Sequence, residues 1–304
     1  MKIRSFSFSG FKKQFYCSAF FVVSILFVVA CNRNTDIKGT DSITGDNADS
    51  VVDSIAYSVL CDSSCYILDN VESDELFAFR GAFYNYSICW PEDSVLQRLV
   101  LKGIFSNDEL TIQEQCRKFL QLDSELKEEY GSKLKRVNNI SERDGTISEI
   151  SIMTDCFQSE RLFHYVVLAY SYPCGAAHGM SYATHIVYDK NLKKKIELTD
   201  IVDTKALRPF LLRAYRELQV NEVYADCLFE ESYADGKLPI PDDFYIDLKN
   251  NSLVAAYQIY SIAPYSCGFI ELAMPADWMA SVGVPLTSYG RSMFNLDAPL
   301  AGID

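Results

Sequence analysis

Ser171-Tyr172-Pro173-Cys174-Gly175-Ala176-Ala177-His178-Gly179 separates two strand-like runs, Leu162 to Tyr172 and Ser181 to Tyr188. Both runs are short and rich in β-branched and aromatic residues. With Ile147 to Phe157 before them, they read as an antiparallel meander. The stretch between them is a small-residue loop carrying one of only three histidines.

Working outward toward the C-terminus, Asp189 to Lys195 (DKNLKKK) is a basic turn region. In Leu198 to Val202, Thr199 or Asp200 suits the N-cap of a short helical turn. Leu207, Phe210, Leu211, Ala214 and Leu218 then recur at helical spacing, with Pro209 expected in the first turn. A short helix is expected over Glu222 to Glu231. Phe244 to Leu248, Ser252 to Tyr260 and Gly268 to Met274 read as strands, with Asn250-Asn251 as a hairpin turn. Pro275 to Met279 begins a last helical turn, and the chain after Val284 reads as a surface tail.

Toward the N-terminus, Ile55 to Asp62 and Leu76 to Trp90 read as strands, the second bent at Gly81. Pro91 to Ser94 starts a helix whose apolar face is Val95, Leu96, Leu99, Val100 and Ile104. A second helix is expected from Thr111 to about Lys135. Strands grouped with helices, without regular βαβ alternation, imply an α+β fold: antiparallel sheets with helices packed on one face. The polar Asn138 to Asp144, ending in Asp-Gly, marks a boundary. It divides an N-terminal α+β unit (54–143) from a C-terminal one (144–284), with 285–304 as tail.

Residues 1–30 have the plan of a signal peptide: a basic start, then the apolar run Phe15 to Ala30. That run is 16 residues long, against the roughly 20 of a membrane-spanning helix. Val28-Val29-Ala30-Cys31 resembles a bacterial lipobox, so Cys31 is expected to carry lipid and anchor the chain to a membrane. Residues 31–53 then form a flexible tether, its 22 residues after Cys31 spanning about 25 Å as a coil. The formal net charge is −13. Removing residues 1–30, with Lys2, Arg4, Lys12 and Lys13 and no acid, makes the remainder more acidic still. Such a surface repels phosphate backbones and excludes nucleic acid as the expected partner. It suits a cationic partner, and it equally serves solubility.

Three stretches in this order resemble a known family. Tyr170-Ser171-Tyr172-Pro173-Cys174-Gly175-Ala176-Ala177-His178-Gly179 is similar to its "tyrosine, then Gly-Gly-Ala-His-Gly" block. Tyr188-Asp189 through Leu198-Thr199-Asp200-Ile201 is similar to its "Leu-x-Asp-Leu" block. Phe244-Tyr245 through Tyr257, then Ile262-Ala263-Pro264-Tyr265-Ser266-Cys267-Gly268-Phe269, is similar to its "Glu-Ile-Ala-Pro-Tyr-Ala-Gly" block. The family is the RsiV-like extracytoplasmic domain, a domain of unknown function. It is shared by RsiV-type anti-sigma factors, PdaC-like peptidoglycan deacetylases and many lipoproteins. The resemblance covers roughly residues 145–282, and more weakly 55–140 resemble the companion domain that often precedes it. In this chain Cys174 and Cys267 replace small residues of the blocks, Ala176 is extra, and Ser261 stands where the acid is usual. The resemblance implies an α+β envelope protein and, in the RsiV branch, lysozyme binding. The metal-dependent deacetylase domain of PdaC-like proteins has no counterpart here.

Eight cysteines remain besides Cys17 and Cys31, an even count that permits full pairing outside the cytoplasm. Because both blocks gained a cysteine, Cys174–Cys267 is the first expected disulfide. Cys61–Cys65 is the second, with Cys89 as a competitor. Cys174 and His178, four apart, also suggest a thiol nucleophile, against which an oxidising compartment argues. His164, His178 and His185 have no paired ligand spacing, so neither metal nor cofactor is expected.

His178 can act as an acid–base group with Asp200, or as a loop anchor bonded to backbone carbonyls. Tyr172, His178 and Tyr265 form the candidate binding set. The leading expectation is a lipid-anchored binding or sensing protein of the bacterial cell envelope, periplasmic or on the outer surface. It would recognise peptidoglycan fragments or a lysozyme-like cationic protein. The alternatives are an envelope hydrolase acting through His178, and a structural or assembly lipoprotein.

Overall fold

The computed structural model describes residues 54–68, 79–138, 147–218, 227–241 and 243–296. The expected signal peptide, Cys31, the tether, residue 143 and the end of the tail lie outside them. Strands β1 (Tyr57–Leu68) and β2 (Gly81–Pro91) pair antiparallel. Helix α1 (Ser94–Phe105) follows at once, because the Asp93 carboxylate accepts from Val95 N and Leu96 N at 2.9 and 2.8 Å. Its buried face is Leu96, Val100, Leu101 and Ile104.

The single helix expected over Thr111 to Lys135 is instead two helices, a 3₁₀ turn (Gly131–Lys133) and the start of a strand. Thr111 and Glu114 form a capping box that starts α2 (Ile112–Phe119). Asp123 caps a separate α3 (Ser124–Tyr130). Gly131, at φ 47°, then turns the chain into β3 (Leu134–Val137), which pairs with β1. Asp123 lies mid-stretch and offers the backbone a cap instead of a continued helix, which the apolar spacing alone does not reveal.

The meander forms as expected: β4 (Ile147–Gln158), β5 (Leu162–Tyr172), β6 (Met180–Asp189) and a short β7 (Lys194–Ile196). It does not stand apart from the N-terminal strands. One seven-stranded sheet runs β3-β1-β2-β4-β5-β6-β7. Its joint is the pairing of β2 with β4, which is parallel where every other pairing is antiparallel. A parallel pair needs a crossover, and α1 to α3 with β3 supply it. Both parts of the chain share a core: Ile88, Leu96 and Val100 pack with Phe163, Tyr165 and Ile186.

After α4 (Leu198–Ile201) comes α5 (Thr204–Leu218). It begins early enough to put Pro209 inside the helix rather than in its first turn. The expected helix over 222–231 is, in its described part, a 3₁₀ turn at Glu230–Ser232. A second sheet of β8 (Asp243–Asp247), β9 (Ser252–Tyr257) and β10 (Ile270–Pro275) is wholly antiparallel. Phe244, Ile246, Leu253, Ala255 and Leu272 share one core with Leu207 and Leu211 of α5. The alternate face of this sheet meets the large one. Where β7 stops, β6 has a bare edge, and side chains take its backbone groups. Asp243 accepts from His185 N at 2.6 Å, and Gln258 donates to Ala183 O at 3.3 Å.

Residues 285–296, expected as part of a surface tail, are instead packed on the fold. After α6 (Ala276–Val282), Leu286 bridges to Val202, and α7 (Ser288–Met293) leads to the buried Phe294. Gly290 lies so close to the Ile201 carbonyl that a Cβ there would collide with it. Among the described residues no helix is long and apolar enough to cross a membrane.

Candidate functional site

The loop after β5 is built from its own side chains. Tyr172 OH donates to Ala176 O at 2.9 Å, and Cys174 N donates to Ser148 Oγ at 2.9 Å. Gly175 takes φ 73°, a conformation that favours glycine. Gly179 is buried where a Cβ would run into the Tyr170 ring. These contacts present His178 at the surface, with Nδ1 3.1 Å from Gly179 O.

The loop between β9 and β10 meets it. Tyr265 OH donates to Gly179 O at 3.1 Å, and its ring stacks on His178 with centroids 3.8 Å apart. Tyr260 lies next in line, its ring tilted by 37° and 5.9 Å from that of Tyr265. Tyr260 is 48% exposed and has φ 64°, a left-handed conformation costly for a tyrosine. His178, Tyr265 and Tyr260 therefore form a row of aromatic rings whose two ends, His178 and Tyr260, are both exposed. Beside it, Ser261 lines an open cleft of about 450 Å³, with Arg208 of α5, Phe229, Glu231 and Asp235 on its walls. That volume lies within the usual range for small-ligand sites.

Of the residues expected to act together, His178 and Tyr265 touch, and Tyr172 braces the same loop through Ala176. Asp200 does neither. Met180 begins β6 beside the loop, whereas Asp200 follows β7 at the far end of β6. Nine residues of strand amount to roughly 30 Å. Asp200 instead binds Lys194 Nζ and Glu197 N, both at 2.9 Å. The pairing of His178 with Asp200 as an acid–base couple is thereby withdrawn. The ring contacts of His178 fit the anchoring role. In sequence Tyr260 stands only among several tyrosines around the blocks, Tyr170, Tyr172, Tyr257 and Tyr265 being the others, that could form a sugar- or protein-binding face, and the cleft leaves no spacing signal. The positive φ of Tyr260 appears only in three dimensions.

The cysteines pair differently from expectation. Cys267 is bridged to Cys227, with Cα atoms 6.1 Å apart, and not to Cys174. The segment after Cys227 runs beside the 262–267 block, with Phe229 N donating to Ile262 O at 2.9 Å and Ser232 Oγ at 3.1 Å. The bridge therefore fastens the cleft wall to the aromatic loop. Cys61 and Cys65 share β1, where four residues of strand span about 13 Å. That exceeds the reach of a disulfide, so they cannot pair. Among the described residues no group of three or more metal-ligating side chains gathers.

Away from the loops, a polar cluster is buried between the sheets. His164 Nε2 and His185 Nδ1 lie 2.9 Å apart, and the Tyr245 ring stacks on both at 4.9 and 4.7 Å. Tyr245 OH donates to Glu271 at 2.9 Å. Burial pushes His164 down to about 4 and His185 down to about 3. Burial pushes Glu271 up to about 8.

No family model and no curated protein matches the sequence. Solved structures share its fold. A crystal structure of a DUF3298-family member from Bacteroides fragilis aligns with a TM-score of 0.55 at 16% identity, covering 81% of this chain and 100% of that one. A DUF3298-family protein from Pseudomonas aeruginosa aligns at 0.50 with 17% identity, covering 79% and 98%. At these identities the likeness concerns the fold: this chain has the α+β architecture of DUF3298-family structures.

Proposed function

We propose that this chain is an RsiV-like lipoprotein of the bacterial envelope, anchored through Cys31, whose folded part binds a cell-wall fragment. The observation that carries the reading is the His178–Tyr265–Tyr260 row, ending in an exposed tyrosine with positive φ next to a polar cleft. Backbone strain concentrates at ligand-binding positions. Adjacent aromatic faces suit the apolar faces of sugar rings, while Arg208, Glu231 and Asp235 suit the polar groups of a glycan or its peptide. The net charge of −13 supports a second reading, in which the partner is a lysozyme-like cationic protein.

Titration of the full chain in detergent with soluble peptidoglycan fragments, and separately with lysozyme, tests both. Tyr260→Ala removes a ring outside the core and is expected to weaken the true ligand about ten-fold. Equal affinity of wild type and variant for whichever ligand binds, or no binding of either, would overturn the reading. The anchor is tested independently: labelled palmitate incorporates into wild type and not into Cys31→Ser. Label retained by that variant would refute lipidation at Cys31.

A further inference from the structure

We propose that the Cys227–Cys267 disulfide is a redox latch on the binding site: a dithiol reductant opens it, and the aromatic row and the cleft wall come loose together while both sheets stay folded. What the latch controls rests on the binding reading above, whereas the latch itself rests on geometry. Cys267 ends a 3₁₀ turn, Tyr265–Cys267, that also carries the ring stacked on His178. Cys227 stands at the head of the segment whose Phe229, Glu231, Ser232 and Asp235 line the cleft. One covalent bond therefore joins the two halves of the site. Beside it, Phe229 N and Ser232 Oγ both donate to Ile262 O, at 2.9 and 3.1 Å, so these two bonds share a single acceptor.

The joined parts lie outside the core. Neither the Glu230–Ser232 turn nor the Tyr265–Cys267 turn contributes a buried residue. The core beneath is built from Leu207 and Leu211 of α5 with Phe244, Leu253 and Leu272 of the small sheet, and Cys227, Leu228 and Cys267 only border it. Segments with few buried contacts open locally without global unfolding. Both cysteines are half-buried, so a small thiol reaches the bond. One thiolate of the reductant attacks a sulfur of the bridge, forming a mixed disulfide and releasing the other cysteine as a thiolate. The reductant's second thiolate attacks its own sulfur in the mixed disulfide and releases the second cysteine. The protein takes up two electrons and two protons, and the dithiol becomes a cyclic disulfide. Both walls then gain conformational freedom that a ligand must remove again, which weakens binding.

The test compares the full chain in detergent with and without dithiothreitol by hydrogen–deuterium exchange, then titrates both forms with soluble peptidoglycan fragments. Exchange is expected to speed up about ten-fold in segments 228–235 and 260–268 and to stay unchanged in α1 and β5. The fragments are expected to bind the reduced form about ten-fold more weakly. A Cys227→Ser, Cys267→Ser double variant should match the reduced form and ignore dithiothreitol. Unchanged exchange in either segment, faster exchange throughout the chain, equal affinity of the two forms, or a dithiothreitol effect that persists in the double variant would overturn the latch. Fragments that bind neither form would sink the binding reading above, and the exchange result then decides the latch by itself. The wild-type comparison is decisive even where the double variant fails to fold.

Discussion

Asp189→Ala is expected to lower the stability of the fold by about 3 kcal/mol or more, as when one partner of a buried charged pair is removed. The Asp189 side chain is 0% exposed, yet its charge is fully served. Arg161 Nε donates to it at 2.9 Å, Tyr289 OH at 2.7 Å, and Asn191 N and Leu192 N at 2.9 Å each. Burial raises its pKa, but the hydrogen bonds from Tyr289, Leu192 and Arg161 outweigh that and hold the carboxyl below its usual range. Arg161 also lies over the Tyr289 ring at 4.7 Å. One carboxylate thus closes the β6–β7 turn and fastens the C-terminal segment to the sheet. Tyr289→Phe removes one of these bonds and is expected to cost only about 1 kcal/mol. Urea unfolding of both variants checks the ranking, and an Asp189→Ala loss below about 1 kcal/mol would contradict it.

The buried His–Tyr–Glu cluster predicts a stability maximum near pH 6.5. His164 and His185 bind protons less well folded, at about 4 and about 3, than at their ordinary 6.5. Their contribution is therefore complete above about pH 6.5 and is lost as pH falls through the folded values. Glu271 has the opposite sign. It is raised from 4.5 to about 8, so its contribution is present below about pH 4.5 and is lost as pH rises through 8. Between those limits two histidines oppose one glutamate, and the net loss by pH 5 is about 2 kcal/mol, at 1.36 kcal/mol per unit. A comparable loss accrues from pH 6.5 to 8. Burial raises Asp247 of β8, which also faces the cluster, but hydrogen bonds from Asn250 and Lys249 outweigh it and hold this carboxyl below its ordinary value, so it stays ionised across the window. Replacing both histidines with glutamine removes the acid limb, and Glu271→Gln removes the alkaline limb. Unfolding midpoints at pH 5, 6.5 and 9 for the three proteins check this. Parallel pH profiles for all three would contradict it.

Local patterns carried much of this architecture. The strands around the Ser171 loop were readable from composition and length, and α1 and α5 from their apolar spacing. Features that depend on distant partners were not. The parallel β2–β4 seam leaves no mark in either strand. Cys267 is equally able to meet Cys174 or Cys227 on paper, and only the path of the segment after Cys227 decides. Asp200 and His178 look close in sequence, but the length of β6 sets them far apart. The segment after Val284 reads as a tail because its anchors, Asp189 and Ile201, are some ninety residues away. The candidate site was half legible for the same reason. Tyr172, His178 and Tyr265 stand in recognisable blocks, while Tyr260 is distinguished only by its backbone and exposure.

Whether the aromatic row is the binding surface is tested most directly by repeating the ligand titration with hydrogen–deuterium exchange as the readout. The account predicts slowed exchange on ligand addition in two segments, 174–180 and 258–268, with smaller changes along the cleft wall at 229–235. Protection confined to other parts of the chain, or saturating binding with no change in either segment, would contradict it.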